Sequence, residues 1–373
     1  MTVGVLKEPS TETRVSLLPE HLATLKKWKT DVLIESGAGA RSYANDNKYT
    51  EAGAKIATRD EVLSSADILL MINNFSTEDI ARLKPNAVIL GIYQPLFNAA
   101  LIKEWANKGL NVFSIDMIPR TTRAQSMDVL SSQANIAGYK AVLLAANKFP
   151  KYFPMFMTAA GSIAPAKVLI LGAGVAGLQA IATAKRLGAV IEVFDTRPAV
   201  KEEVMSLGAK FIEVEGAADS SKAGGYAVEQ TEEFMQRQKA KIAESVAKAD
   251  IVITTAQIQG KKAPILITQQ MIEAMKNGSV IIDIAASTGG NTELTKNNET
   301  ILHNGVSIIG NSALSGDMPS DASKLYGKNI LNFLQLIIDK EGQLDLNFED
   351  DLVRGTCIAN RYSVTNERVK ALL

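Results

Sequence analysis

The residues best suited to chemistry form a glycine-rich turn. Gly172-Ala173-Gly174-Val175-Ala176-Gly177 follows the apolar run KVLIL and opens the segment VAGLQAIATAKRLG. Between a strand and a helix, three glycines at this spacing have separate jobs. Gly172 permits a tight turn, Gly174 lets the backbone approach a pyrophosphate, and Gly177 lets helix and strand pack closely while the helix N-terminus faces the anion. Asp195, in VFDTRP at the end of the next apolar run, strengthens the pattern. Its carboxylate can accept hydrogen bonds from the adenosine ribose hydroxyls and repel a 2′-phosphate, so NAD(H) is favoured over NADP(H). Thr196 lies beside it. Arg197 pulls the other way, since a guanidinium can pair with a phosphate, but it also reads as a solvated or Asp-paired loop residue. Glycine packing without a ligand is the competing explanation of the turn.

A second polar segment, PRTTRAQSMDVLSSQ at 119–133, gathers Arg120, Arg123, Gln125, Asp128 and Ser131. Such a cluster can orient a carboxamide and a ribose, yet it offers no group suited to proton transfer at neutral pH. A purely structural account is equally physical: Ser126 as a helix N-cap with Asp128 in the first turn. The two are compatible, and Arg120 and Gln125 are taken as ligand-facing.

These segments need elements to position them. Up to about residue 120, short β-type runs (32–34, 68–71, 87–90, 112–115) alternate with helix-like stretches (19–28, 60–65, 98–108), the sign of a parallel sheet with crossover helices. A helical pattern from about Ser126 to Lys148 links to a second α/β series with strands expected at 167–171, 190–194, 211–214, 251–254, 280–284 and 306–309. The segment 216–238 is polar and Gly-containing and reads as a mobile surface loop. Beyond Ser320 the chain is helical, then hairpin-like, and is expected to return to the first domain. The expected organisation is α/β: two Rossmann-like domains with parallel sheets, 1–125 with 322–373 (discontinuous) and 126–321 (dinucleotide-binding), joined by long helices. An interdomain cleft is the default ligand site.

Composition excludes several classes. The 373 residues are 46% hydrophobic and 21% charged, with Lys+Arg and Asp+Glu equal at 40 each, so no electrostatic footprint argues for nucleic acid or an anionic membrane. One cysteine, Cys357, rules out a disulfide framework, and two histidines make a multi-histidine metal site improbable, so no metal is expected. The start MTVGVLKEPS lacks the regions of a signal peptide, and apolar runs such as VIIDIAA are far shorter than a bilayer span, so a cytoplasmic chain without direct membrane insertion is expected.

PRTTRAQSMDVLSSQANIAGYKAV and MTAAGSIAPAKVLILGAGVAGLQAIATAKRLGAV together closely resemble the NAD(H)-binding domain I of proton-translocating nicotinamide nucleotide transhydrogenase. LKEPSTETRVSLLPE, the AGGY run, DIVITTAQIQGKKAPILIT, GSVIIDIAASTGGN and LYGKNILNFL extend the resemblance over nearly the whole chain. The resemblance implies direct hydride exchange between NAD(H) here and NADP(H) on a separate domain III, coupled to proton movement through a membrane domain II. It further implies a homodimer associated peripherally with the inner membrane through its partners. Arg120, Gln125, Asp128 and Ser131 match the family's loop beside the dihydronicotinamide, and Tyr226 matches the tyrosine of a loop that closes over nucleotide. Gln230 and NSALSGDMPSDAS at 311–323 depart from the family wording, so no contact is carried over from them.

Alanine dehydrogenase shares the two-domain plan, and Arg14 matches that family's substrate-carboxylate arginine. Its lysine, however, falls within 71–75 (MINNF), its histidine near Gln94 and its catalytic aspartate at Ser287. Without a proton shuttle, reductive amination lacks a catalyst, whereas hydride exchange between nucleotides needs only alignment. Arg14 is then expected to be structural, pairing with a nearby carboxylate or helix end. A non-catalytic NAD-binding module is the third reading.

Overall fold

A computed structural model describes residues 1–214 and 232–373; the intervening segment, which holds Tyr226, lies outside the described residues. The chain forms two compact units, Met1–Gln133 with Gly316–Leu373, and Ala134–Ser315.

In the first unit, β1 (Thr2–Val5), β2 (Asp31–Glu35), β3 (Lys55–Ala57), β4 (Ile68–Leu70), β5 (Val88–Gly91) and β6 (Asn111–Ser114) pair in parallel. β16 (Cys357–Asn360) and β17 (Ser363–Val364) return from the end of the chain and extend the sheet antiparallel beside β6. The order is β17-β16-β6-β5-β4-β1-β2-β3, so the winding reverses at β1, between β2 and β4. The strands are short unbroken apolar runs because both faces are covered. Val3, Val5, Ile68, Leu70, Val88 and Leu90 pack on one side, and Leu69, Met71, Ile89 and Val112 on the other.

The second unit repeats the plan with β9 (Lys167–Leu171), β10 (Val190–Phe194), β11 (Lys210–Phe211), β12 (Ile251–Thr254), β13 (Val280–Asp283), β14 (Glu299–His303) and β15 (Val306–Gly310) in the order β11-β10-β9-β12-β13-β15-β14. Here the winding reverses at β9. Val168, Ile170, Ile251, Ile253, Val280 and Ile282 face one core, and Leu169, Leu171, Val252 and Ile281 the other. A separate antiparallel hairpin, β7 (Phe156–Thr158) and β8 (Gly161–Ile163), precedes β9.

The α/β class is as expected, with corrections in detail. The sheets are not wholly parallel: β14 runs antiparallel to β15, and β16 to β6. β14 escapes a reading by apolar runs because, as an edge strand, it leaves most of its residues exposed or half-buried. The strand expected over 211–214 is reduced to Lys210–Phe211. Residues 232–238, expected as loop, open the helix Glu232–Lys248. The helix expected from Ser126 starts at Val129, because Asp128 rather than Ser126 supplies its cap, its two carboxylate oxygens accepting from Ser131 N (2.9 Å) and Ser131 Oγ (2.6 Å). The preceding residues Thr122–Met127 form a 3₁₀ turn whose Ser126 carbonyl instead accepts from the side-chain amides of Asn329 and Asn332, both at 2.8 Å.

Candidate functional site

In the second unit the turn after β9 sits at the carboxyl edge where the winding reverses, the place where open α/β sheets take ligands. Gly172 has φ +105°, and a Cβ there would fall 2.4 Å from Thr255 Oγ1, so both backbone and space call for glycine. A Cβ on Gly177 would fall 1.9 Å from the carbonyl oxygen of Gly172, which is how closely the helix Val175–Arg186 approaches the strand end. Gly174 differs: its φ is −77°, nothing lies within 4 Å of the Cβ it lacks, and it caps that helix. No contact within the protein therefore demands glycine at 174, and the space beside it is open toward an anion at the helix N-terminus. Val175 is exposed and Ala176 buried beneath the same first turn.

Asp195 follows β10 and turns back to this loop. Its Oδ2 accepts from Ala173 N at 2.7 Å and Arg197 Nη2 at 2.8 Å, and its Oδ1 from Arg197 N at 2.8 Å and Arg197 Nε at 2.9 Å. Arg197 is thus the Asp-paired residue of the two roles open to it. Its hydrogen bonds to Asp195 raise its already high basicity, against the opposing effect of burial. The pair shares one local charge, so exclusion of a 2′-phosphate cannot rest on an isolated carboxylate. Thr196 lies half-buried between them. Thr255, which sequence reasoning passed over, donates from Oγ1 to the Gly172 carbonyl at 3.0 Å and links the end of β12 to the turn.

The remaining site residues belong to the first unit. Arg120 and Gln125 are exposed, Asp128 and Ser131 half-buried in the cap just described. Arg123 is committed elsewhere, pairing with Asp350 and, at 3.1 Å, with Asp351. Tyr226 lies outside the described residues.

Arg14 is structural, as expected. Its guanidinium meets Glu12 through two bonds, Nε to Oε1 at 2.8 Å and Nη2 to Oε2 at 2.6 Å, while Nη1 donates to Gln133 Oε1 at 2.8 Å. Burial works to raise the Glu12 carboxyl, but Arg14 holds it below its usual value. Asn73, in the stretch where alanine dehydrogenase carries its lysine, donates from Nδ2 to Glu8 Oε2 at 3.0 Å. Glu8 also accepts from Ile72 N at 2.6 Å and Asn73 N at 3.2 Å, which pins the loop after β1 to the loop after β4. At 3% exposure, Glu8 is pushed by burial from 4.5 up to about 7, despite those hydrogen bonds pulling it down. Two phenols of the same unit, Tyr93 and Tyr326, are fully buried with hydroxyls that lack a partner.

A glycine turn at the reversal point of a doubly wound sheet, with a carboxylate after the second strand, has the build of the dinucleotide-binding α/β class. Comparison with known proteins narrows this. The pattern described as alanine dehydrogenase/PNT, N-terminal domain, matches residues 4–137, and that of the alanine dehydrogenase/PNT C-terminal domain matches 141–367. The chain is 43% identical to the first portion of the split NAD(P) transhydrogenase subunit alpha of Rhodospirillum rubrum, over 96% of each chain. It is 42% identical to NAD(P) transhydrogenase subunit alpha of Haemophilus influenzae, over 96% of this chain and 70% of that one. A Staphylococcus epidermidis alanine dehydrogenase matches at 27% over 99% of this chain and 96% of that one. The crystal structure of transhydrogenase from Sinorhizobium meliloti superimposes with a TM-score of 0.90 at 43% identity, covering 98% of this chain and 100% of that one. The chain belongs to the alanine dehydrogenase/PNT family, on its transhydrogenase side, as the sequence resemblance implies.

Proposed function

We propose that this chain is the NAD(H)-binding component of a proton-translocating NAD(P) transhydrogenase. It would exchange hydride directly with NADP(H) held on a separate domain III, the exchange being coupled to proton movement through a membrane domain II. The observation that carries the reading is the turn at Gly172, Gly174 and Gly177, whose middle glycine no protein contact explains. The backbone N–H groups at the start of the helix Val175–Arg186 would receive the pyrophosphate, and Asp195 the adenosine ribose. When bound, NAD(H) supplies the hydride donor or acceptor of the reaction. The protein supplies alignment, and Arg120, Gln125, Asp128 and Ser131 are assigned to the nicotinamide end on the strength of the family resemblance. Reductive amination is disfavoured by Asn73, Gln94 and Ser287 at the family's acid–base positions.

Glycine substitutions test the reading. Gly174→Ala should leave the melting temperature unchanged, because its backbone angles suit alanine and its Cβ meets nothing, yet weaken NADH binding by roughly tenfold or more if the pyrophosphate approaches there. Gly177→Ala should destabilise the protein itself by about 1–3 kcal/mol, the usual range for overpacking. Unchanged NADH affinity in the folded Gly174→Ala protein removes the ligand from this turn.

Asp195→Asn should weaken NADH by roughly ten- to a hundredfold, the cost of about 1.5–3 kcal/mol for a lost charged acceptor. It should also narrow the preference over NADPH, since Arg197 is freed to meet the 2′-phosphate. Fluorescence titration checks both effects. NADPH binding the unmutated protein as tightly as NADH would end the discriminating role of Asp195.

A cytoplasmic homodimer held at the inner membrane by its partners completes the proposal. The apolar side chains on and beside the β7–β8 hairpin support the dimer: Tyr152 stacks on Phe156 with ring centroids 5.1 Å apart, and Met155, Met157 and Ile163 are exposed as well. Among the described residues no helix is long and apolar enough to cross a membrane.

A further inference from the structure

Asn291 follows β13 and is completely buried. Its amide makes every bond of a backbone-like bridge. Oδ1 accepts from Ala256 N at 3.0 Å, and Nδ2 donates to Ala256 O and Pro264 O, each at 2.8 Å. Because one amide both accepts from and donates to Ala256, its orientation is fixed. On the backbone side, Asn291 N donates to Asp283 Oδ2 at 2.6 Å, and the Asn291 carbonyl accepts from Leu266 N at 2.8 Å and Ile267 N at 3.0 Å. Asp283, also completely buried, accepts from Ala285 N at 3.0 Å and Thr295 Oγ1 at 2.7 Å. One side chain thus ties the loop after β12 to the loop after β13, and Thr255, next to Ala256, carries the tie on to the carbonyl of Gly172.

In a doubly wound sheet each half accommodates one mononucleotide. The half built on the first strands takes the adenosine side, and the half built on the strands beyond the reversal takes the other. β12 and β13 are the first two strands of that second half. We infer that Asn291 is a positioning residue that fixes the loops bordering the nicotinamide half of the dinucleotide. The inference rests on the NAD(H) reading of the Gly172 turn. A fully satisfied buried amide fits this task better than an apolar residue would: it fixes two loops at once, and a half-satisfied network would let them drift. A drift of about 1 Å is enough to misalign a hydride transfer.

The test separates the two ends of the ligand. The parent, Asn291→Ala and the milder Asn291→Ser are titrated by calorimetry with ADP-ribose, which lacks the nicotinamide, and the emission polarisation of saturating bound NADH is recorded for each. ADP-ribose affinity within about twofold of the parent shows that the second unit is folded and its first half intact. Polarisation of bound NADH should then fall toward that of a freely rotating nicotinamide, more in the alanine than in the serine variant. Unchanged polarisation, or ADP-ribose weakened as much as NADH, overturns the inference. So does a parent whose bound NADH is already mobile. A parent that binds neither ligand defeats the cofactor reading itself, and this inference falls with it.

Discussion

Between pH 4.5 and pH 8, the unfolding free energy of Glu8→Gln is expected to gain about 3 kcal/mol on that of the parent. Burial holds the Glu8 carboxyl near 7 in the folded protein against an ordinary 4.5. Across that window the folded state therefore binds more protons than the unfolded one, and the parent loses stability as pH rises from the lower value through the upper. The loss is complete above about 7, where the folded protein must carry a charge that water would have solvated better. Glutamine does not titrate, so its stability lacks this slope. At low pH the variant starts from a deficit, because its amide cannot accept from both Ile72 N and the two donors of Asn73. That offset does not alter the slope. The groups around Glu8 do not cancel the effect: Glu12, whose charge raises it further, is neutralised by Arg14, and Tyr93 and Tyr326 stay protonated throughout. Urea unfolding of both proteins at a series of pH values measures the difference, and a difference that stays flat across the window sinks the assignment.

The features of this molecule that are legible in the sequence depend on neighbours along the chain. Apolar runs flanked by turn residues mark most strands of both sheets, and strand, glycines and helix sit contiguously around Gly172. β14 also has a local sign, since the Asn304-Gly305 pair that closes its hairpin has φ +47° and +74°. The dipeptide is a strong hairpin signal, but Glu299–His303 is too exposed to announce a strand by its apolar pattern. The cap of the helix Val129–Lys148 lies two residues beyond the expected one because Ser126 and Asp128 are both good caps. Tertiary bonds from Asn329 and Asn332 to the Ser126 carbonyl accompany the later start.

What the sequence hides are the long-range polar contacts. Glu8 and Asn73 lie 65 positions apart, and Asn291 and Ala256 35 apart. Nothing in KEPST or GGNTE says which loop the side chain will meet. Such residues look like ordinary solvated loop polars until topology brings two carboxyl edges together, and only then does burial make their satisfaction compulsory. Arg197 shows the same limit at short range. Its two roles, phosphate ligand and partner of Asp195, call for the same residue in the same place, and only the geometry of the pair favours the second.

Under the proposed role, Gln125→Asn should leave NADH affinity nearly intact and slow hydride transfer by about a hundredfold in a reconstituted mixture with an NADP-loaded domain III. Gln125 lies exposed on the 3₁₀ turn Thr122–Met127, and among the described residues its side chain makes no hydrogen bond. Shortening it therefore breaks nothing that holds the turn, and stability should change by no more than the roughly ±0.5 kcal/mol typical of a surface substitution. Most of the binding energy is assigned to the adenosine and pyrophosphate, received by Asp195 and the Gly172–Gly177 turn, which the substitution does not touch. What changes is aim. Removing one methylene moves the amide by about 1 Å, and when alignment is the main catalytic device a displacement of that size can cost on the order of a hundredfold in rate. If Gln125 is only a solvated residue beside the helix cap, neither rate nor affinity should move. Single-turnover transfer rates measured with both nucleotides saturating, alongside the NADH dissociation constant, decide between these outcomes. A rate within about twofold of the parent would remove Gln125 from the reaction.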